Sequence, residues 1–239
     1  LYSLMKDDTL RNTSIDWRAR PEFLTKSRGL MVNALRRLAV SNEVTLNAML
    51  KVPRHIFVDD AFYLRAYDDD ALPIGHGQTI SHPSTVARMV GLLGQAGRLE
   101  RVLEIGTGCG YQAAVLAHCA AQVYSIERIA PLYELALHNL AKVSGVLPSV
   151  PHIRFGDGML GWPEAAPFDA NVVAAAGLSI PQIILSQLRV GGVLVAPVHL
   201  QVADETQHLI QIIRVSSNQW QREVVDVARF VPLLGGVQT

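Results

Sequence analysis

Val102–Gln112 reads VLEIGTGCGYQ: a short strand-like run, apolar but for Glu104, three alternating glycines, then the start of a helical pattern. Glycine tolerates positive φ, so this spacing suits a strand that stops and turns at once into a helix. In open α/β sheets such a turn lies at the carboxyl end of the first strand, where ligands bind. Strand and helix patterns then alternate: QVYSIE (122–127), PLYELALHNLAKV (131–143), HIRF (152–155), FDANVVAAA (168–176), IPQIILSQL (180–188) and GGVLVAPV (191–198). Apolar strands between helices predict a parallel sheet covered on both faces, a doubly wound α/β fold. HLIQIIRV (208–215) and REVVDVARFVPL (222–233) lie too close together for a helical crossover and read as a closing antiparallel pair.

Upstream, residues 30–52 read as two helices broken at Ser41-Asn42, with Pro53 closing the second. Pro83 suits a first helical position, and Val86, Met89, Val90 and Leu93 then recur on one face until Gly94. Residues 1–28 are expected to form a partly ordered extension, and 29–239 one domain: a helical preface and loop at 29–94, the sheet at 95–239. The polar N-terminus lacks a signal peptide's apolar core. Between these helices ALPIGHGQTISHP (71–83) is crowded with small and polar groups.

Charge narrows the partners. Lys plus Arg and Asp plus Glu both number 21, with only four lysines, so no global field points to nucleic acid or an anionic membrane. Cys109 and Cys119 lie within one strand–turn–helix unit and do not form a disulfide framework, which predicts a cytoplasmic setting. H-E-x-x-H and C-x-x-C are absent and the eight histidines are dispersed, so no metal is expected.

Dinucleotide sites prefer G-x-G-x-x-G; here the spacing is G-x-G-x-G, with Glu104 two residues before Gly106. An acid beside the turn would repel a pyrophosphate and suits a cationic ligand without phosphate, such as S-adenosyl-L-methionine. Gly106 and Gly108 would admit it. Glu127, ending the next strand, is placed to accept ribose hydroxyls, and Asp157 with Gly158 follows the third strand, where the acid can accept from an adenine amino group. The plain alternatives are a turn that binds nothing and acids that only cap helices.

In order, VPRHIFV, ALPIGHGQTISHP, VLEIGTGCGYQ, SIER, GDG, PFDANVVAAA, LRVGGVLVAPV and RFVPL resemble the blocks of the protein-L-isoaspartate O-methyltransferase family, from about Met31 to Pro232. The Q-T-I-S block is the specific part; the glycine turn is general to class I methyltransferases. The resemblance implies a Rossmann-like methyltransferase fold with a mostly parallel seven-stranded sheet. It also implies S-adenosyl-L-methionine as donor and the free α-carboxylate of an L-isoaspartyl residue in a damaged protein as acceptor. The backbone nitrogen would then attack the methyl ester and expel methanol as a succinimide forms, opening a repair cycle.

Such an acceptor is ionised at neutral pH, with a reference pKa of about 3.5 to 4, so no general base is needed. The site must hold one carboxylate oxygen in line with the methyl group and exclude water. Thr79, Ile80 and Ser81 are expected at the donor–acceptor junction, with Ser81 hydrogen-bonding the reacting carboxylate and Gln78 shaping the same wall. Capping of the helix at Pro83 is the other use for Ser81. Ala174 and Ala175 are expected to leave room for the substrate, and Val231-Pro232 to pair with its backbone. Gly177 stands where the family often has proline, which predicts a looser loop, and Cys109 at a helix start raises the expectation of an oxidation-sensitive turn. Rival readings are a methyltransferase for another acceptor, or a non-catalytic adaptor. A monomer is favoured.

Overall fold

The computed structural model describes residues 21–201 and 206–239. Helix α1 (Pro21–Arg37) runs through the expected boundary at Gly29, because Leu24, Met31, Val32 and Leu35 recur at helical spacing and are all buried. The rest of the expected extension, residues 1–20, lies outside the described residues. Helix α2 (Glu43–Lys51) starts where Asn42 caps it, the Asn42 side chain accepting from Thr45 N at 2.9 Å. Helix α3 (Pro83–Leu93) begins with proline at its first position and buries Val86, Met89, Val90 and Leu93.

The stretch 71–83, for which sequence suggested no regular element, holds an antiparallel hairpin of β1 (Leu72–Gly75) and β2 (Gln78–Ile80). Its tip needs left-handed backbone at three successive residues: φ is +89° at Gly75, +52° at His76 and +69° at Gly77. The two glycines serve that turn.

The main sheet has seven strands in the order β5-β4-β3-β6-β7-β8-β9. Strands β3 (Leu99–Ile105), β4 (Ala120–Glu127), β5 (His152–Phe155), β6 (Phe168–Val173) and β7 (Leu188–His199) are parallel. β8 (Gln207–Ser216) and β9 (Gln219–Ala228) close it antiparallel, as expected. Val102, Val123, Ala170, Val172 and Val193 join a core shared with α1, α2 and α3. Their neighbours Leu103, Ile126, Val173 and Leu194 point to the opposite face and a second core, the period-two alternation of a sheet buried on both sides. Helices α4 (Tyr111–Leu116), α5 (Ala130–Lys142) and α6 (Gln182–Ser186) fill the crossovers. The helical pattern that opens at Tyr111 ends as α4 at Leu116, and Ala120 already pairs with Leu99 in the sheet. Backbone pairing overrides helix propensity there.

Strand order reverses at β3, which lies between β4 and β6, so the crevice at its carboxyl end is the topological switch point of the sheet. Among the described residues no helix is long and apolar enough to cross a membrane, and no cluster of three His, Cys, Asp or Glu could hold a metal.

Candidate active site

A cleft enclosing about 990 Å³ of space, partly open to solvent, lies at that switch point. Its floor is the glycine turn. Gly106 (φ +93°) and Gly110 (φ +91°) adopt backbone that side chains resist, and Gly110 starts α4 from the left-handed region. The turn is pinned to β4: Gly106 N donates to Ile126 O at 2.9 Å, and Gly108 N to Glu127 Oε2 at 2.8 Å. Glu127 Oε1 accepts from Ile129 N at 2.9 Å, so the carboxylate is fixed on the cleft wall with lone pairs to spare.

The opposite wall is the hairpin, with Gln78, Thr79, Ile80 and Ser81 all lining the cleft. The Ser81 side chain makes no hydrogen bond among the described residues. Ala174 and Ala175, just past β6, line it too, as do Val231 and Pro232 from the C-terminal segment. Gly106, Gly108 and Gly158 stand where a side chain would crowd neighbouring protein atoms: a Cβ on Gly106 would sit 3.5 Å from Ala174 Cβ, one on Gly108 3.2 Å from Ile74 Cδ1, and one on Gly158 would overlap Ile105.

Two of the expected cofactor acids stand elsewhere. Glu104 is buried behind the turn and does not line the cleft. Burial pushes its pKa up to about 8, against hydrogen bonds from Ser125 and Gln112 and with the Glu127 charge adding to the rise. Its side chain is held under α4 by Gln112 and not on the cleft surface. Asp157 also lies outside the lining, although its neighbour Gly158 is on the wall. Its Oδ1 accepts from Met159 N at 2.8 Å and its Oδ2 from Gly236 N at 2.7 Å. That carboxylate caps a short 3-10 turn and ties down the C-terminal tail.

Further expectations change with the geometry. Val231 O and Leu233 N both bond Ala176, each at 2.8 Å, so these groups are not open to a substrate strand. Gly177 is anchored, its carbonyl accepting from His199 N at 3.0 Å. Cys109 is buried and its thiol is raised to about 11 by burial, the reverse of the low-pKa, accessible thiol that oxidation needs.

Sequence reasoning passed over Thr107, Gln112 and Arg128, which also line the cleft. Arg128 donates to Gly236 O at 3.0 Å and, with the bond from Gln238 N to Arg128 O at 2.8 Å, stitches the tail to the β4–α5 turn. Arg128 was within reach, being the last letter of SIER; the tail contact, 108 residues away, was not.

The sequence model of the protein-L-isoaspartate(D-aspartate) O-methyltransferase family matches residues 26–238. The protein-L-isoaspartate O-methyltransferase of Burkholderia vietnamiensis is 56% identical over 212 residues, covering 88% of this chain and 67% of that protein. That of Burkholderia cenocepacia is 55% identical over 212 residues, covering 88% of this chain and 66% of that protein. This chain thus spans about two thirds of the length of the curated relatives it matches. Among solved structures, a protein-L-isoaspartate O-methyltransferase superposes with a TM-score of 0.78 at 25% identity, covering 88% of this chain and 67% of the other. A Plasmodium falciparum structure named as a protein of this kind, in complex with S-adenosyl-L-homocysteine, shares the fold with a TM-score of 0.73 at 23% identity, covering 87% and 98%. With sequence blocks, fold and cleft all in agreement, the chain belongs to the protein-L-isoaspartate(D-aspartate) O-methyltransferase family.

Proposed function

We propose that this chain transfers the methyl group of S-adenosyl-L-methionine to the free α-carboxylate of L-isoaspartyl residues in damaged proteins and peptides, the first step of their repair. The observation that carries this reading is one continuous cleft. It joins the glycine turn and Glu127 at the strand ends to Ser81, Ala174 and Ala175 beneath the hairpin. The cleft suits the donor on chemistry: a fixed carboxylate, glycine walls without side chains, and no cluster of basic residues for a pyrophosphate.

When bound, S-adenosyl-L-methionine supplies an electrophilic methyl group on a cationic sulfur. Glu127 accepts ribose hydroxyls; Gly106, Gly108 and Gly158 let the ligand approach backbone; Gln78, Thr79 and Ile80 form the facing wall. Ser81 donates to the acceptor carboxylate and aims one oxygen at the methyl group. No proton has to be removed, because the nucleophile is already an anion. Orientation and the exclusion of water are the work left to the protein. Ala174 and Ala175 leave room for the isoaspartyl main chain. We place the enzyme in the cytoplasm, a setting supported by its two unpaired thiols, Cys109 and Cys119, and acting as a monomer.

The test is labelled donor with paired peptides that differ only in an isoaspartyl or normal aspartyl linkage. Base-labile methyl ester on the isoaspartyl peptide alone is expected. Transfer to neither peptide, with donor bound, would overturn the reading in favour of an adaptor; transfer to an unrelated small acid would move it to another acceptor.

A further inference from the structure

Glu104 is left over from the site just described, and its surroundings are arranged around its proton. It is fully buried in β3, facing α4. Its Oε1 accepts from Gln112 Nε2 at 3.0 Å, and its Oε2 lies 2.5 Å from Ser125 Oγ. Ser125 Oγ lies in turn 2.6 Å from Thr107 Oγ1, where either hydroxyl can donate. Gln112 and Thr107 both line the cleft. The carboxyl group is therefore out of sight of the ligand but joined to the cleft wall on two sides.

The titratable groups around it are few. Glu127 approaches from the end of β4 and acts against its ionisation. Cys109, in the turn, is buried and feels the Glu104 charge; Tyr111, at the start of α4, is buried too. The guanidinium of Arg54 lies beyond them, 4.9 Å from the Tyr111 ring centroid. From β6 the paired residue is Val172. No cation among the described residues pairs with Glu104.

We propose that Glu104 is a charge-sensing positioning residue of the donor site, releasing its proton when a cationic donor enters the cleft and regaining it when a product with neutral sulfur is left behind. The inference rests on the donor assigned above. The hydroxyl chain supplies the route. With Glu104 protonated, hydrogen bonds run from Glu104 to Ser125 to Thr107, and the Thr107 hydrogen is left for the cleft. With Glu104 ionised the chain reverses, Thr107 donates to Ser125, and its lone pairs are left to face the ligand. A cation prefers the second arrangement by direct attraction to the carboxylate and by the turned hydroxyl. Along the chain the Thr107 hydrogen leaves to solvent, the Ser125 hydrogen passes to Thr107 and the Glu104 hydrogen to Ser125, so each hydroxyl keeps one hydrogen and Glu104 alone ends a proton short. The resting carboxyl, held near pKa 8 by burial, is largely protonated at neutral pH and so has a proton to give.

Calorimetric titration of the full chain with S-adenosyl-L-methionine and with S-adenosyl-L-homocysteine, in buffers of different ionisation enthalpy from pH 6 to 9, reads this directly. Each ligand's own amine also titrates, but alike in every protein variant, so differences between variants isolate Glu104. Wild type is expected to release more protons with the sulfonium ligand than Glu104→Gln does near pH 7. Its preference for sulfonium over thioether should strengthen with pH, by at most about tenfold per unit, and level off above pH 8. Glu104→Gln should hold one preference throughout. Ser125→Ala, which removes a hydrogen bond that lowers the Glu104 pKa, should move the rise to higher pH, and it keeps the test open should Glu104→Gln not fold. Equal proton release in wild type and Glu104→Gln, or an unshifted profile in Ser125→Ala, would overturn the inference while leaving the donor assignment standing. No uptake of either ligand by folded wild type would overturn the donor assignment and the inference with it.

Discussion

The first open amide of α3 is served by Asp69, whose Oδ1 accepts from Ser84 N at 2.8 Å. Ser81, three residues upstream on the cleft wall, is thereby released from capping, the other use its position allowed. Replacing it with alanine removes one hydrogen bond to a charged oxygen, worth about 1.5 to 3 kcal/mol. Ser81→Ala should therefore lower kcat roughly 10- to 100-fold and leave donor affinity nearly unchanged. Matched losses in kcat and in donor affinity, from single-turnover and binding measurements, would place Ser81 in the cofactor wall. That Ser81, Glu127, Gly106, Gly108 and Gly158 would face one cleft was legible, because all lie at strand ends or in the turns that follow them. Glu104 and Asp157 were expected beside them and do not line the cleft, for reasons a linear reading cannot reach. Two residues before a turn does not say whether a strand side chain points at the ligand or under the next helix. The partner that takes up Asp157 Oδ2, Gly236, is 79 residues away.

At the scale of elements, α2 and α3 meet at a point of contact that leaves no room for growth. Ser41 Oγ donates to Ala87 O at 2.7 Å, and Asn42 Nδ2 to Gly91 O at 3.1 Å. A Cβ on Gly91 would overlap Ser41 Oγ and approach Ser41 Cα to 3.3 Å. Alanine is the better helix former by about 1 kcal/mol, yet Gly91→Ala should destabilise by roughly 1 to 3 kcal/mol, since overpacking of this kind forces backbone apart. In a Ser41→Ala background the clashing oxygen is gone and the penalty should shrink. Additive effects in denaturant melts of the single and double variants would show that the two helices separate easily. The same crossing explains what sequence could and could not show of the fold. Amphipathic spacing found α3 and the preface, and alternation of strands and helices found the sheet. The hairpin stayed hidden because Leu72–Gly75 and Gln78–Ile80 are only four and three residues long. Strands so short carry no periodicity, and the glycines at the hairpin tip serve the turn.

Across the whole molecule, two buried groups set opposite slopes of stability against pH. Burial, with the charge of Arg28 adding to it, holds His55 down at about 4, against an ordinary 6.5, while its Nδ1 bonds the Tyr67 hydroxyl at 2.7 Å. Between those values the unfolded chain carries a proton that the folded one does not, so stability falls as pH drops from 6.5 toward 4. Glu104 runs the other way: its pKa rises on folding from 4.5 to about 8, so the folded chain keeps a proton that the unfolded chain has lost. Its contribution is complete below 4.5 and disappears as pH climbs through 8. From 4.5 to 6.5 the two slopes oppose each other and largely cancel; above 6.5 only the Glu104 loss remains. The thiols of buried Cys109 and half-buried Cys119, raised to about 11 from 9, add to it only in more alkaline solution. Thermal melts should therefore show wild type losing Tm between pH 6.5 and 8.5, with Glu104→Gln, which cannot ionise, nearly level over that interval. Parallel curves for the two proteins would mean that Glu104 is already ionised in the folded chain. An ionised Glu104 would have no proton to surrender to an incoming cation, so this melt bears on the donor site without any ligand being added.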